Sequence, residues 1–171
     1  MLWTLKARCF WPLVGIVLLT DCATKRIAET AFSPAHVPHE FLGPIIRFTL
    51  AYNPGAAMSL SLGSYSRLGF SAFALLALTV LGALYRQLPR SSGLPAAGLA
   101  LVAGGALGNA LDRLRSPRGV VDFIDLGLGA ARFWTFNVAD LAITVGAVLL
   151  AIALSRPLVP DEHVGSGGGA A

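Results

Sequence analysis

Four stretches of this chain are apolar for about 20 residues each, the length a helix needs to cross a hydrocarbon core of about 30 Å, and no other feature restricts the fold as much. They run over about residues 9–28, 68–87, 94–113 and 134–155. The second has no charge between Leu68 and Tyr85, whereas each of the others carries at least one aspartate. With 55% hydrophobic and 13% charged residues, the composition also points to a chain built for lipid rather than a soluble globule. The expected fold is an all-α membrane protein with four transmembrane helices.

Between the first two spans, residues of about 30–66 contain β-rich runs broken by Pro44, Pro54, Gly55 and Gly63, which predicts a small β-rich platform outside the cytoplasm rather than a helix. Residues 1–157 then form one integral membrane domain. The tail 158–171 ends in "GSGGGAA" and is expected to be disordered and cytoplasmic. A cleaved signal peptide is a competing reading of the first span, and "LLTDC" hints at a lipid-modified cysteine. Asp21 stands directly before Cys22, where a small residue is wanted, and Lys25 and Arg26 follow at once. Cys9 and Cys22 lie in or beside this span and show neither a disulfide framework nor metal spacing.

Lys6, Arg8, Arg86 and Arg90 flank spans on one side, so the positive-inside rule puts them and both termini in the cytoplasm of an inner-membrane protein. Arg113, Arg115, Arg118 and Arg132 then fall on the outer side, and such an exception calls for partners or a ligand. The net charge of +4 does not signal nucleic acid, because the basic residues form neither an extended run nor a stripe with interleaved aromatics. Trp3, Trp11, Phe133 and Trp134 near span ends read as interfacial anchors. Gly104 and Gly108 form a small-xxx-small pair suited to close helix packing.

An ionisable side chain in a span costs at least about 2.5 kcal/mol, so each one needs a partner, water or a chemical role. Asp21 and Lys25 are four apart with the acid first, the favourable order for an ion pair on one helix face. Asn109 and Asp112 at the end of span three, and Asn137 and Asp140 at the start of span four, form two Asn-x-x-Asp pairs at the same membrane face. The link between them carries Asp122 and is long enough to fold back beside Asp140. Arg113 adjoins the cluster; with Asp112 and Asn109 it reads equally well as a network fixing span three against span four. In "GVVDFIDLG" (119–127), Asp122 and Asp125 share a face if the segment is helical and point apart if it is extended; Asp125 reads as a surface or capping acid.

No metal is expected, since His36, His39 and His163 lie away from the cluster. A Ser/His nucleophile lacks both a Gly-x-Ser-x-Gly turn and a nearby His. The remaining chemistry is a pair of aspartates sharing one proton, one acting as base on a water and the other as acid. A proton-coupled transporter is the alternative, but its relay would thread acids through the bilayer, whereas these gather at one face. A non-catalytic scaffold would use the glycines and leave the acids unexplained.

"DCATK" (21–25), "YNPGAAMSL" (52–60), "GGALGNALDR" (104–113), "GVVDFIDL" (119–126) and "FNVADLAI" (136–143) resemble, in order and spacing, the motifs of the lipoprotein signal peptidases, the type II signal peptidases of bacteria. Met58 stands where that family usually has Phe. The resemblance implies a cofactor-free aspartic endopeptidase of the inner membrane. It would cut diacylglyceryl-modified prolipoproteins on the N-terminal side of the lipidated cysteine, with membrane lipids around it. It further implies Asp122 and Asp140 as the catalytic pair, and Asn53, Gly55, Asn109, Asp112, Arg113, Asn137, Asp21 and Lys25 as residues that bind substrate or support the site. Arg115 and Arg118 would be free to meet lipid phosphates.

Overall fold

The structure, a computed structural model, describes residues 3–55, 63–129 and 131–155. Met58 and the Gly-rich tail lie outside the described residues. Four helices are long and apolar enough to cross a membrane: α1 (Leu5–Ala31), α2 (Ser66–Gln87), α3 (Leu94–Arg115) and α4 (Val138–Ser155). α1 exceeds the predicted span at both ends. It starts where the Thr4 hydroxyl accepts a hydrogen bond from the Ala7 N–H, capping the first turn. At 27 residues it is about 40 Å long, so its last turns extend past a hydrocarbon core of about 30 Å.

α3 is the central helix and packs against each of the other three. In lipid there is no hydrophobic drive between helices, so close contact of small residues and polar bonds must hold the bundle. Accordingly, a Cβ added at Gly104 would sit 2.9 Å from Val17 Cβ of α1, and one at Gly108 would collide with Asp21. These contacts make α1 a packed member of the bundle through the "LLTDC" region. A second set of glycines, not singled out from sequence, seats α4: a Cβ on Gly98 would meet Leu150 at 2.8 Å, and one on Gly146 would lie 2.7 Å from the Gly98 carbonyl. α2 is peripheral. Its Phe73, Leu75 and Leu76 are 62–68% exposed, as expected of a lipid-facing helix.

Long basic side chains close two helix ends. Lys6 Nζ donates to the carbonyls of Tyr85 (3.1 Å) and Leu88 (2.7 Å) at the end of α2. At the opposite boundary Arg67 donates to the carbonyls of Arg113 (2.6 Å) and Leu114 (3.1 Å), finishing α3.

The sheet is antiparallel with strand order β1 (Pro38–Leu42), β2 (Ile46–Asn53), β3 (Val120–Leu128), β4 (Ala131–Arg132). The expectation of a platform confined to the link between helices 1 and 2 is corrected here. Its longest strand, β3, comes from the link between α3 and α4 and pairs with β2 in the register Arg47↔Asp125, Ala51↔Asp122 and Asn53↔Val120. One extra residue of β2 bulges out between Phe48 and Ala51. Gly119 makes the turn into β3 at φ +92°, where a side chain would also run into the backbone of Asn53. Beyond β4, Phe136 pairs with Ile124 through hydrogen bonds of 2.8 and 3.0 Å, which sets the start of α4 alongside β3.

Candidate active site

Asp122 and Asp125 are both on β3, and their odd spacing on an extended strand sends them to opposite faces. Asp122 points toward the start of α4. Its Oδ1 accepts from Asn137 Nδ2 at 2.7 Å and its Oδ2 from Asn53 Nδ2 at 3.3 Å. Asp140 is in the first turn of α4 and forms a reciprocal capping box with Asn137. The Asp140 N–H donates to Asn137 Oδ1 (3.0 Å), and the Asn137 N–H donates to Asp140 Oδ2 (3.2 Å). Asn137 is fully buried and therefore touches both carboxylates at once, by its amide and by its backbone.

Asn109 supports the pair from α3: its Nδ2 donates to Asp140 Oδ1 at 2.8 Å. The orientation of this amide is set from behind, because its Oδ1 accepts from Lys25 Nζ at 2.8 Å. Lys25 in turn pairs with Asp21 (2.7 Å) and Asp112 (2.8 Å). Asp21 also accepts from the Ala139 N–H at 2.9 Å, satisfying another free donor of the α4 N-terminus. The predicted Asp21–Lys25 pair is thus one edge of a larger ionic network joining α1, α3 and α4. Asp112 belongs to that network and accepts from the Val121 N–H at 3.2 Å. It does not pair with Arg113 as considered from sequence. Arg113 instead donates to the carbonyls of Gly55 (2.8 Å) and Asn109 (3.2 Å).

Asn53, Asn109, Arg113, Asp122 and Asp140 line one cavity of about 730 Å³. Its apolar wall includes Leu126, Phe133, Trp134, Phe136 and Ile143. Phe133 and Trp134, read from sequence as interfacial anchors, are walls of this cavity. Burial, and after it the proximity of Asp140, pushes the Asp122 carboxyl up to about 7 from its ordinary 3.8, against the lowering effect of the Asn137 and Asn53 hydrogen bonds. Among the described residues no three His, Cys, Asp or Glu side chains are grouped to hold a metal ion.

Asp125 is not the surface acid expected. It is only 6% exposed, paired with Arg132 (2.7 Å) and Arg47 (3.3 Å) and bonded by the Thr49 hydroxyl at 3.0 Å. Arg132 also donates to the Pro44 carbonyl at 2.6 Å, tying the far side of the sheet together. Arg47 and Thr49 did not stand out in the sequence, because their partner Asp125 is more than 70 positions away on β3.

Comparison with known proteins follows the same elements. The family model described as "Signal peptidase (SPase) II" matches residues 13–156. The chain is 39% identical over 142 residues to a lipoprotein signal peptidase of Hydrogenovibrio crunogenus, covering 82% of this chain and 81% of that one. It is 41% identical over 155 residues to one of Coxiella burnetii, covering 87% and 93%. Two solved structures, each described as a bacterial membrane enzyme, superpose with TM-scores of 0.75 (29% identity, 83% and 84% coverage) and 0.77 (25% identity, 92% and 100% coverage). The chain, a multi-pass membrane protein, belongs to the signal peptidase II family, the lipoprotein signal peptidases.

Proposed function

We propose that Asp122 and Asp140 form the catalytic dyad with which this peptidase cleaves lipoprotein signal peptides, using a water as nucleophile. The observation that carries the reading is the meeting of two carboxylates, one from a strand and one from a helix start, on a shared Asn137 at the wall of a mostly apolar cavity. Their surroundings divide the labour. Asp140 accepts hydrogen bonds from the Asn109 side-chain amide and from the Asn137 N–H at the start of α4. Asp122 is buried beside it, and burial followed by the proximity of Asp140 raises its carboxyl to about 7, so we assign the acid role to Asp122 and the base role to Asp140.

Asp140 takes a proton from the water as its oxygen attacks the scissile carbonyl carbon, while Asp122 gives its proton to the carbonyl oxygen. When the C–N bond breaks, the proton on Asp140 passes to the leaving nitrogen and Asp122 regains one from the gem-diol, so the dyad returns to its starting state. Arg113, buried and lining the same cavity, supplies a fixed positive charge against the developing anion. Leu126, Phe133, Trp134, Phe136 and Ile143 offer an apolar seat to a precursor whose cysteine carries a diacylglyceryl group. The platform and the dyad face the outside of the inner membrane, with both termini in the cytoplasm. The transporter reading draws no support from the geometry: Asp21, Asp112 and Asp140 gather at one end of the bundle, and α2 carries no acid.

The test is to incubate the purified protein with a diacylglyceryl-modified precursor and with the same precursor unmodified. Cleavage of the modified form alone is expected. Asp122→Asn and Asp140→Asn should each lower the rate by about a thousandfold or more with the inserted fold retained. Full activity in either variant would remove that aspartate from the reaction.

A further inference from the structure

Seven arginines sit at the end of the bundle that carries the two aspartates: Arg26, Arg47, Arg67, Arg113, Arg115, Arg118 and Arg132. Five are engaged. Arg47 and Arg132 hold Asp125, Arg67 caps α3, Arg113 bonds Gly55 and Asn109, and Arg118 bonds Glu29 at 3.2 Å while lying 4.0 Å over the Tyr52 ring. The guanidinium groups of Arg26, near the end of α1, and Arg115, the last residue of α3, have no partner among the described residues. Both are exposed, and both line one cleft of about 190 Å³ with Ser116, separate from the cavity of the aspartates.

We propose that this cleft binds the phosphate headgroup of an anionic phospholipid from the surrounding bilayer. Of the other charges lining the cleft, Lys25 pairs with Asp112 and Glu29 with Arg118, while Asp21 behind Lys25 adds one further negative charge. Arg26 and Arg115, neither paired with an acid among the described residues, therefore leave the cleft net positive at neighbouring helix ends, even with Asp21 counted. Guanidinium forks match phosphate oxygens in geometry and charge. The space equals the liquid volume of about six waters, enough for a headgroup and too little for a folded segment.

A lipid rather than a free ion is favoured by the flanking surface. Ile27 and Leu114, the chain neighbours of the two arginines, are 60% and 65% exposed, and Leu19, about two turns back along α1, is 71% exposed. A ligand with phosphate at one end and acyl chains at the other uses both the cations and this apolar face. The occupant differs from the precursor's lipid, because a diacylglyceryl group on sulfur carries no phosphate. The site also gives a role to two of the cations that the positive-inside rule would not put at this boundary.

The test measures lipid retention on the purified protein in detergent by native mass spectrometry, titrating phosphatidylglycerol, diacylglycerol with the same chains, and inorganic phosphate. One tight phosphatidylglycerol adduct is expected, with no comparable diacylglycerol adduct and only weak displacement by millimolar phosphate. Each cation at a lipid surface contributes about 1 kcal/mol, about fivefold, so Arg26→Gln and Arg115→Gln together should weaken that adduct about twenty-fivefold. Arg8→Gln with Arg90→Gln, at the opposite end of the helices, should leave it intact. Equal loss in the two double variants, or undiminished binding to the first, would overturn the site. Displacement of the lipid by phosphate at matched concentration would overturn the lipid as occupant.

Discussion

Asp122 and Asp140 differ in what their backbone lends them. Asp140 sits at a helix start, where it accepts from the Asn137 N–H, and Asp122 sits on β3 with two amide donors and no full positive charge in hydrogen-bonding contact. Burial, and after it the neighbouring Asp140, raises the Asp122 carboxyl to about 7. Since the reaction needs that proton, the cleavage rate should halve near pH 7 and fall about tenfold per unit above it; a rate still rising through pH 8 would reverse the roles. The same shift has a stability consequence. Because the folded carboxyl holds its proton more tightly than the unfolded one at 3.8, the folded state binds more protons between those values and loses stability as pH rises through about 4 to 7. Asn at this position does not titrate, so the Tm of Asp122→Asn relative to the parent should increase from pH 4 to pH 8. A constant difference would mean that Asp122 is not held neutral in the folded protein.

At the scale of elements, β3 does two jobs with its two faces. One aims Asp122 at α4, and the other anchors the strand through Asp125, Arg47 and Arg132. Removing the acid of such a cluster leaves two cations close together, a loss that partial exposure of the arginines reduces to about 1–3 kcal/mol. Asp125→Asn should therefore lower Tm by several degrees yet keep substantial activity at low temperature, read by a melting curve and a rate on the same sample. Helix contact is equally local. A Cβ at Gly105 would press on the Ala139 backbone next to Asp140 and lie 2.8 Å from Ile143, whereas one at Gly82 on α2 would meet nothing within 4 Å. Gly105→Ala should cost at least about tenfold in rate by tilting α4, and Gly82→Ala should be neutral. These two elements also mark where sequence reading succeeded and failed. The spans and polar pairs were legible because charge is rare and costly in apolar runs. β3 was not, because six consecutive residues from Val120 to Asp125 are mostly buried on both faces and lose the alternation that signals a strand. Gly98, Gly105 and Gly146 read as ordinary members of apolar runs until their partners on the facing helix were known.

For the whole molecule, orientation follows from charge only once the ion pairs are known. Lys6, Arg8, Arg86 and Arg90 stand at one end, and the seven arginines of the other end outnumber them, so a bare count of Lys and Arg would invert the protein. Five of those seven are committed to acids, carbonyls or a helix end, and several lie in segments that reach their positions only when the sheet has folded. Arg47, Arg118 and Arg132 are such cases, whereas Lys6, Arg8, Arg86 and Arg90 adjoin the spans in sequence and act during insertion, before any sheet exists. This argues for both termini and the Arg86–Arg90 link in the cytoplasm, with the sheet outside. In a variant with Cys9 and Cys22 changed to Ala, His39→Cys in β1 should react with a membrane-impermeant maleimide on spheroplasts, and Ser91→Cys in the α2–α3 link should react only after lysis. The reverse labelling pattern would turn the molecule over and place the aspartates on the cytoplasmic face, where a precursor already exported could not reach them.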